Sequence, residues 1–239
     1  MNNKLWAWLG EWTLFEKTWI AVFTLINIGL FLVWQDTALS LISSLAGMLC
    51  VVLVAKGKIA NFYFGIIQTA TYAYISYGYG LYGETMLNAL FYLPTQFVGL
   101  YMWQQHKARQ QVADEDIEVK RLSRKGWLYL LVAVAVVSAV YAEILIALKA
   151  QQVRIDSLAV VLSIVAQILM TLRYAEQWVL WILVNILSIV LWVVTLMQSG
   201  GNDYAMLVMW SAFLVNSIYG WYNWLKFART QAAVASGVA

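Results

Sequence analysis

Charged residues in this chain fall in a few short clusters, and between the clusters lie eight stretches of mostly apolar residues, each long enough or nearly long enough to cross a bilayer. The stretches are Thr18–Trp34, Ala38–Ala55, Ala60–Tyr77, Thr85–Trp103, Trp127–Leu148, Leu158–Leu172, Trp178–Met197 and Tyr204–Phe227. The runs are continuous rather than alternating, which excludes a β-barrel and predicts an all-α polytopic membrane protein of eight transmembrane helices. Only 11% of the 239 residues are charged, too few to cover a water-facing surface. The solvent for most of the chain is therefore lipid. The N-terminal MNNKLWAWLGEW lacks an apolar core and a small-residue cleavage site, so no removable signal is expected.

Numbering the loops alternately by side places thirteen of the fifteen Lys and Arg on one face. They are Lys4, Lys17, Lys56, Lys58, Lys107, Arg109, Lys120, Arg121, Arg124, Lys125, Arg173, Lys226 and Arg229; the other face holds Lys149 and Arg154. The positive-inside rule then puts both termini in the cytoplasm. The count also checks the number of helices, because dropping one would scramble the sign pattern downstream. The mixed-charge stretch HKARQQVADEDIEVKRLSRK reads as a solvated cytoplasmic linker, its basic residues setting topology or touching lipid headgroups.

An internal repeat organises the rest. A shift of 117 lays Lys56 on Arg173, Phe64 on Trp181 and Gln68 on Asn185. Further along the shift grows to 121, and Gly-Leu-Tyr-Met-Trp103 falls on Gly-Trp-Tyr-Asn-Trp224. The extra residues lie in the Ser-Gly-Gly-Asn-Asp203 loop, where insertions are tolerated. The plan reads as residues 1–36, an N-terminal segment and accessory helix; 37–105, a first three-helix repeat; 106–156, a linker and linker helix; 157–227, a second repeat; and 228–239, a tail. Both triplets start on the same side, so they form a parallel repeat of the 3+1+3 kind. In transporters with this plan the substrate site lies near the midplane between the halves.

Polar side chains within the spans mark candidate sites. Asn61, Phe64, Gln68 and Thr71 share one face of the third helix, and Trp178, Trp181, Asn185, Ser188 and Trp192 share one face of the seventh. The repeat superposes these faces, and together they would line a polar, aromatic pocket. Asn88, Tyr92, Thr95, Gln96 and Gly99 of the fourth helix and Ser211, Asn216, Tyr219 and Asn223 of the eighth would extend it, with Pro94 bending the fourth. Each has a plainer reading. Asn and Gln also serve as hydrogen bonds between helices, and Trp178 and Trp192 sit where interface-belt residues sit.

No Asp, Glu, Lys or Arg lies mid-span except Glu143, near the outer end of the fifth helix, where it can snorkel, pair with Arg154 or couple a proton. This favours passive movement and disfavours an anionic substrate. No phosphate-binding glycine loop, HExxH, GxSxG or Cys/His set is present: Cys50 and His106 are each alone. An enzyme, a metal or a resident cofactor is not expected, nor is nucleic acid. The cavity suits a neutral or cationic flat molecule, since a Trp face attracts a cation and carboxamides pair with amides or hydroxyls.

The 3+1+3 plan, the Trp181-Ile-Leu-Val-Asn185 motif and the Gly-x-Tyr-x-Trp endings resemble the PnuC family of bacterial vitamin B3 transporters, from about Ala38 to Phe227. The resemblance implies nicotinamide riboside as substrate, facilitated diffusion (uniport) across the bacterial inner membrane, trapping by a cytoplasmic kinase, and a homotrimer. The architecture is also similar to the sugar-transporting SWEET proteins, although their hinge prolines are reduced here to Pro94. On this reading Trp181 stacks on the pyridinium or sugar, Asn185 and Gln68 bond the carboxamide or ribose, and Phe64, Asn88, Tyr92, Gln96, Asn216 and Trp178 complete the wall. A sugar or other nucleoside carrier, and a receptor or scaffold that transports nothing, remain the alternatives.

Overall fold

The computed structural model describes residues 12–34, 37–78, 85–109, 117–147, 153–199 and 204–235. Among them are eight α-helices: α1 (Leu14–Trp34), α2 (Ala38–Ala55), α3 (Asn61–Gly78), α4 (Leu93–Arg109), α5 (Arg124–Ala147), α6 (Val153–Thr171), α7 (Gln177–Ser199) and α8 (Tyr204–Ala235). A π-helical turn, Leu87–Tyr92, leads into α4. No strand occurs among the described residues, only one parallel bridge between Lys120 and Tyr174. Residues 35–36, 79–84, 110–116, 148–152 and 200–203, and most of the N-terminal segment, lie outside the described residues.

Local chemistry sets several helix starts. Thr13 and Glu16 form a reciprocal capping box: the Glu16 amide donates to Thr13 Oγ1 at 3.2 Å and the Thr13 amide to Glu16 Oε2 at 2.7 Å. Thr37 Oγ1 caps α2 through the Ser40 amide, and Ser123 Oγ caps α5 through the Gly126 amide. Two helix ends share one device. Gly57 (φ 65°) and Arg173 (φ 66°) both take the left-handed conformation just past the ends of α2 and α6. They stand one residue out of step with the 117-residue repeat. A Cβ on Gly57 would also press on Ile117, 3.0 Å from its Cγ1.

By length and composition, α1, α2 and α5 each contain a stretch apolar enough to cross a membrane, and Ser157–Thr171 and Gln177–Val190 are shorter apolar helices. Eight spans were expected from the sequence. The helices that fall short, α3, α4 and α8, are the ones loaded with Tyr, Asn and Gln. Apolar side chains on α1 and α5, among them Leu25, Leu32, Val132, Val136 and Val140, are exposed to the surroundings. Such surface is unfavourable in water and suited to lipid.

The chain forms two compact units. The first contains α1, most of α2, α3 and the chain up to Phe97; the second contains residues 54–59 and everything from Val98 onward. In the first, the accessory helix α1 is tied to α2, because Ser44 Oγ donates to Asn27 Oδ1. In the second, Val134, Val161, Leu162, Ala166, Leu169, Leu180 and Val184 form a core joining α5, α6 and α7.

The linker is not simply solvated. Ile117 is 2% and Val119 7% exposed. The Gln231 carboxamide of α8 brackets this segment, donating to the Ile117 carbonyl and accepting from the Val119 amide, both at 2.9 Å. Lys120 exchanges backbone bonds with Arg173 and Ala175, and Arg121 Nε donates to Glu176 Oε1 at 2.7 Å. Alternating charge at residues 118–121 hid an apolar pair of alternating period, Ile117 and Val119, that packs inward.

Candidate functional site

Within the first unit, α3 buries Phe62, Gly65, Thr69, Ala73 and Ser76 in one stripe. Asn61 is also buried, and Phe64, Gln68 and Thr71 lie half-buried along the stripe's edge. Gln68 rests on α2: its Cγ would stand 3.2 Å from a Cβ on Gly47, and its backbone carbonyl accepts from Ser43 Oγ at 3.5 Å. The Thr71 hydroxyl is used locally, donating to the carbonyl of Ile67 at 2.7 Å.

The approach to α4 is shaped by Pro94. Proline has no N–H, and its ring crowds the carbonyl four residues back. The helix responds by widening, so that the Leu93 amide bonds to the carbonyl of Asn88, five residues earlier, rather than to that of Ala89. The wider turn carries Asn88, 4% exposed, and Tyr92, half-buried. Gln96 follows at 5% exposure, and its Oε1 has no hydrogen-bond partner. Its carboxamide lies against Gly65 so closely that any Cβ at that position would overlap Oε1. The sequence names Gln96 as a candidate but gives no sign that a glycine on the neighbouring helix makes room for it.

Within the second unit, the predicted stripe on α7 turns inward. Trp178 and Asn185 are 2% and 3% exposed, Trp181 is half-buried, and Leu183, Ile186 and Val190 face outward. The Trp181 side chain packs against the α5–α6–α7 core. Asn185 Nδ2 donates to Ser217 Oγ on α8 at 2.9 Å, so one end of its carboxamide links two helices. On α8, Ala212, Asn216, Ser217, Gly220 and Trp224 form the buried stripe, while Ser211 is exposed. The side chain of Trp192 lies outside the described residues, as does that of Arg154. Glu143 is exposed on α5.

Trp178 is not an interface-belt residue. Its ring lies on Gly220, where a Cβ would come within 2.5 Å, and meets Trp224 edge-on at 6.1 Å between centroids. Trp224 in turn packs on Trp103 at 6.1 Å, and both are fully buried. Trp103 Nε1 donates to the carbonyl of Thr171 at 3.2 Å, and Trp224 Nε1 to that of Val54 at 2.8 Å. These two bonds are related by the offsets of the sequence repeat, 121 between the tryptophans and 117 between the carbonyls. Asn223 adds a long contact, Nδ2 to the carbonyl of Ala55 at 3.5 Å. The cluster lies at the basic-loop ends of the helices, beside the Gly57 and Arg173 caps.

In the last turn of α4, His106 Nε2 stands 3.2 Å from Glu118 Oε2 of the linker. Burial and the Arg173 charge push the His106 pKa below its ordinary value, against the pull of Glu118. Burial likewise lowers that of Arg173. No group of three or more His, Cys, Asp or Glu able to hold a metal occurs among the described residues.

The chemistry on offer among these side chains is carboxamides, hydroxyls and aromatic planes. Residues 37–226 match the model of the nicotinamide mononucleotide transporter family. The chain is 45% identical to the nicotinamide riboside transporter PnuC of Neisseria mucosa, over 92% of this chain and 84% of that one. It is 42% identical to the PnuC of Haemophilus influenzae, over 92% and 94%. A crystal structure of the vitamin B3 transporter PnuC superposes with a TM-score of 0.79 at 44% identity, covering 92% of this chain and 94% of the other. With a family model spanning most of its length and relatives this similar along nearly all of it, the chain belongs to the PnuC family of membrane transporters.

Proposed function

We propose that this protein carries nicotinamide riboside across the bacterial inner membrane by facilitated diffusion, with both termini cytoplasmic and phosphorylation inside the cell trapping the substrate. The observation that carries the reading is the lack of mid-span Asp, Glu, Lys or Arg, Glu143 alone excepted, set beside relatives named for that riboside. The riboside is a flat cation with a carboxamide and hydroxyls, so it needs aromatic faces and neutral hydrogen-bonding groups. The mononucleotide in the family model's name adds a phosphate, for which an intramembrane Arg or Lys would be required. None is present, so the unphosphorylated molecule is the better fit. The one carboxylate within a span, Glu143, is exposed near the outer end of α5, which likewise favours uniport over proton or sodium coupling.

The parallel 3+1+3 repeat is proposed as the scaffold, supported by the paired Trp103 and Trp224 bonds to equivalent carbonyls. Trp181 is assigned to stack on the pyridinium or sugar, and Asn185 and Gln68 to bond the carboxamide or ribose. Phe64, Asn88, Tyr92, Gln96, Asn216 and Trp178 are assigned lesser contacts. A homotrimer is the expected assembly.

The test is thermal stabilisation of the purified protein by a panel of NAD precursors, because a ligand that binds only the folded state raises its melting point. Nicotinamide riboside should raise it, and the mononucleotide and simple sugars should not. Equal stabilisation by riboside and mononucleotide would refute the assignment.

A further inference from the structure

The turn between α6 and α7 concentrates buried polar groups without partners. Within Arg173–Trp178, Arg173 Nε, Glu176 Oε2, Gln177 Nε2 and Oε1, and Trp178 Nε1 have no hydrogen bond. Glu176 and Gln177 are 0% exposed, Trp178 2% and Arg173 8%. At zero exposure no water-sized space adjoins the Gln177 carboxamide, so neither solvent nor substrate can meet it in this conformation. Each such group is costly to bury. At the equivalent positions the first repeat carries Ala60 and Asn61 in place of Gln177 and Trp178.

Other contacts hold the turn in this unfavourable state. Its backbone is bridged to Lys120, and the Arg121 guanidinium grips Glu176 Oε1 while lying 5.5 Å over the Trp221 ring. Behind it, Trp178, Trp224 and Trp103 pack against one another. Arg173 occupies a left-handed backbone conformation that L-residues seldom adopt.

We propose that Arg173–Trp178 is the moving gate at the basic-loop end of the transporter, that this structure holds it shut, and that the 117–121 segment is its latch. Opening lets the Gln177 carboxamide and the Trp178 indole N–H reach water or passing substrate. The unpaired groups thus bias the gate toward opening, and the Arg121–Glu176 pair opposes them. The transport cycle needs both states to be accessible, so neither influence can dominate. The gate rests on the transport reading above, but its energetics can be measured without any substrate.

Two substitutions with opposite signs test it in the full chain. Gln177→Met keeps the length and removes both unpaired atoms. It should raise the melting temperature by about 2–4 °C, slow amide hydrogen exchange across residues 173–180 about fivefold, and slow riboside exchange in liposomes. Arg121→Lys keeps the charge but loses the Nε donor, and it should do the reverse. A lower melting temperature for Gln177→Met, or hydrogen exchange that moves the same way in both variants, overturns the gate. Wild-type liposomes that move no riboside would sink the transport reading instead, and melting and hydrogen exchange would still decide the gate.

Discussion

Gln96 lies flat against Gly65, and the absence of a side chain on α3 is what admits its carboxamide. The Gln96 Oε1 thereby stays buried and unpartnered at 5% residue exposure. Gly65→Ala should therefore displace Gln96 and weaken riboside binding about tenfold, the loss of one good hydrogen bond. Isothermal calorimetry checks this, and Gly65→Ala combined with Gln96→Ala should bind no worse than Gln96→Ala alone.

Asn185 and Ser217 allow ligand and structural roles to be separated. The bond between them joins α7 to α8, and such bonds in membranes average about 0.6 kcal/mol. Ser217→Ala should lower the melting point by a degree or two and leave riboside affinity within about twofold. Asn185→Ala should abolish most binding, a loss of at least tenfold. If the two variants lose affinity equally, Asn185 is an interhelical link and no more.

Removal of Pro94 should restore an ordinary helix. With an alanine there, an amide becomes available for the Leu90 carbonyl, and the π-helical turn at Leu87–Tyr92 loses its cause. Loss of the extra residue per turn would rotate Asn88 by about 100° relative to Gln96. The expected result for Pro94→Ala is a melting point equal to or above wild type, with riboside uptake reduced about tenfold. Unchanged uptake would show that the wide turn has no part in transport.

His106 predicts an acid-side loss of stability. Burial first, and then Arg173, lower its pKa in the folded protein. A group with a lowered folded pKa binds more protons when unfolded, so its contribution is present above the ordinary value near 6.5 and fades as pH falls. The melting point should drop between pH 7.5 and 5.5, and His106→Gln should flatten that part of the profile.

The helices were legible because an apolar run of membrane length admits few folds. Their ends were less so. Helix α8 continues to Ala235, past the apolar run that stops near Phe227, because its last turns are fixed by Gln231 holding the linker rather than by lipid. The burial of Ile117 and Val119 was masked by the charges interleaved with them. The inward turn of Trp178 and Asn185 followed from helical spacing. The place of Trp178 did not, because its seat is Gly220, the glycine that opens the Gly-x-Tyr-x-Trp224 ending on a different helix. Spacing within one helix finds a face; what lies opposite that face is written on another helix.

Helix α8 is one rod of 32 residues, about 48 Å at 1.5 Å per residue, against a hydrocarbon layer of about 30 Å. On the eight-span reading its apolar part, up to Phe227, lies in the bilayer, and the other end holds the Ile117–Val119 backbone through Gln231. A thicker or thinner membrane changes the tilt of such a rod, and the overhang swings with it like a lever arm. Lipid chain length is therefore a mechanical input to the segment beside Lys120 and Arg121, and reconstitution in bilayers of graded thickness should tune turnover without any change to the sequence.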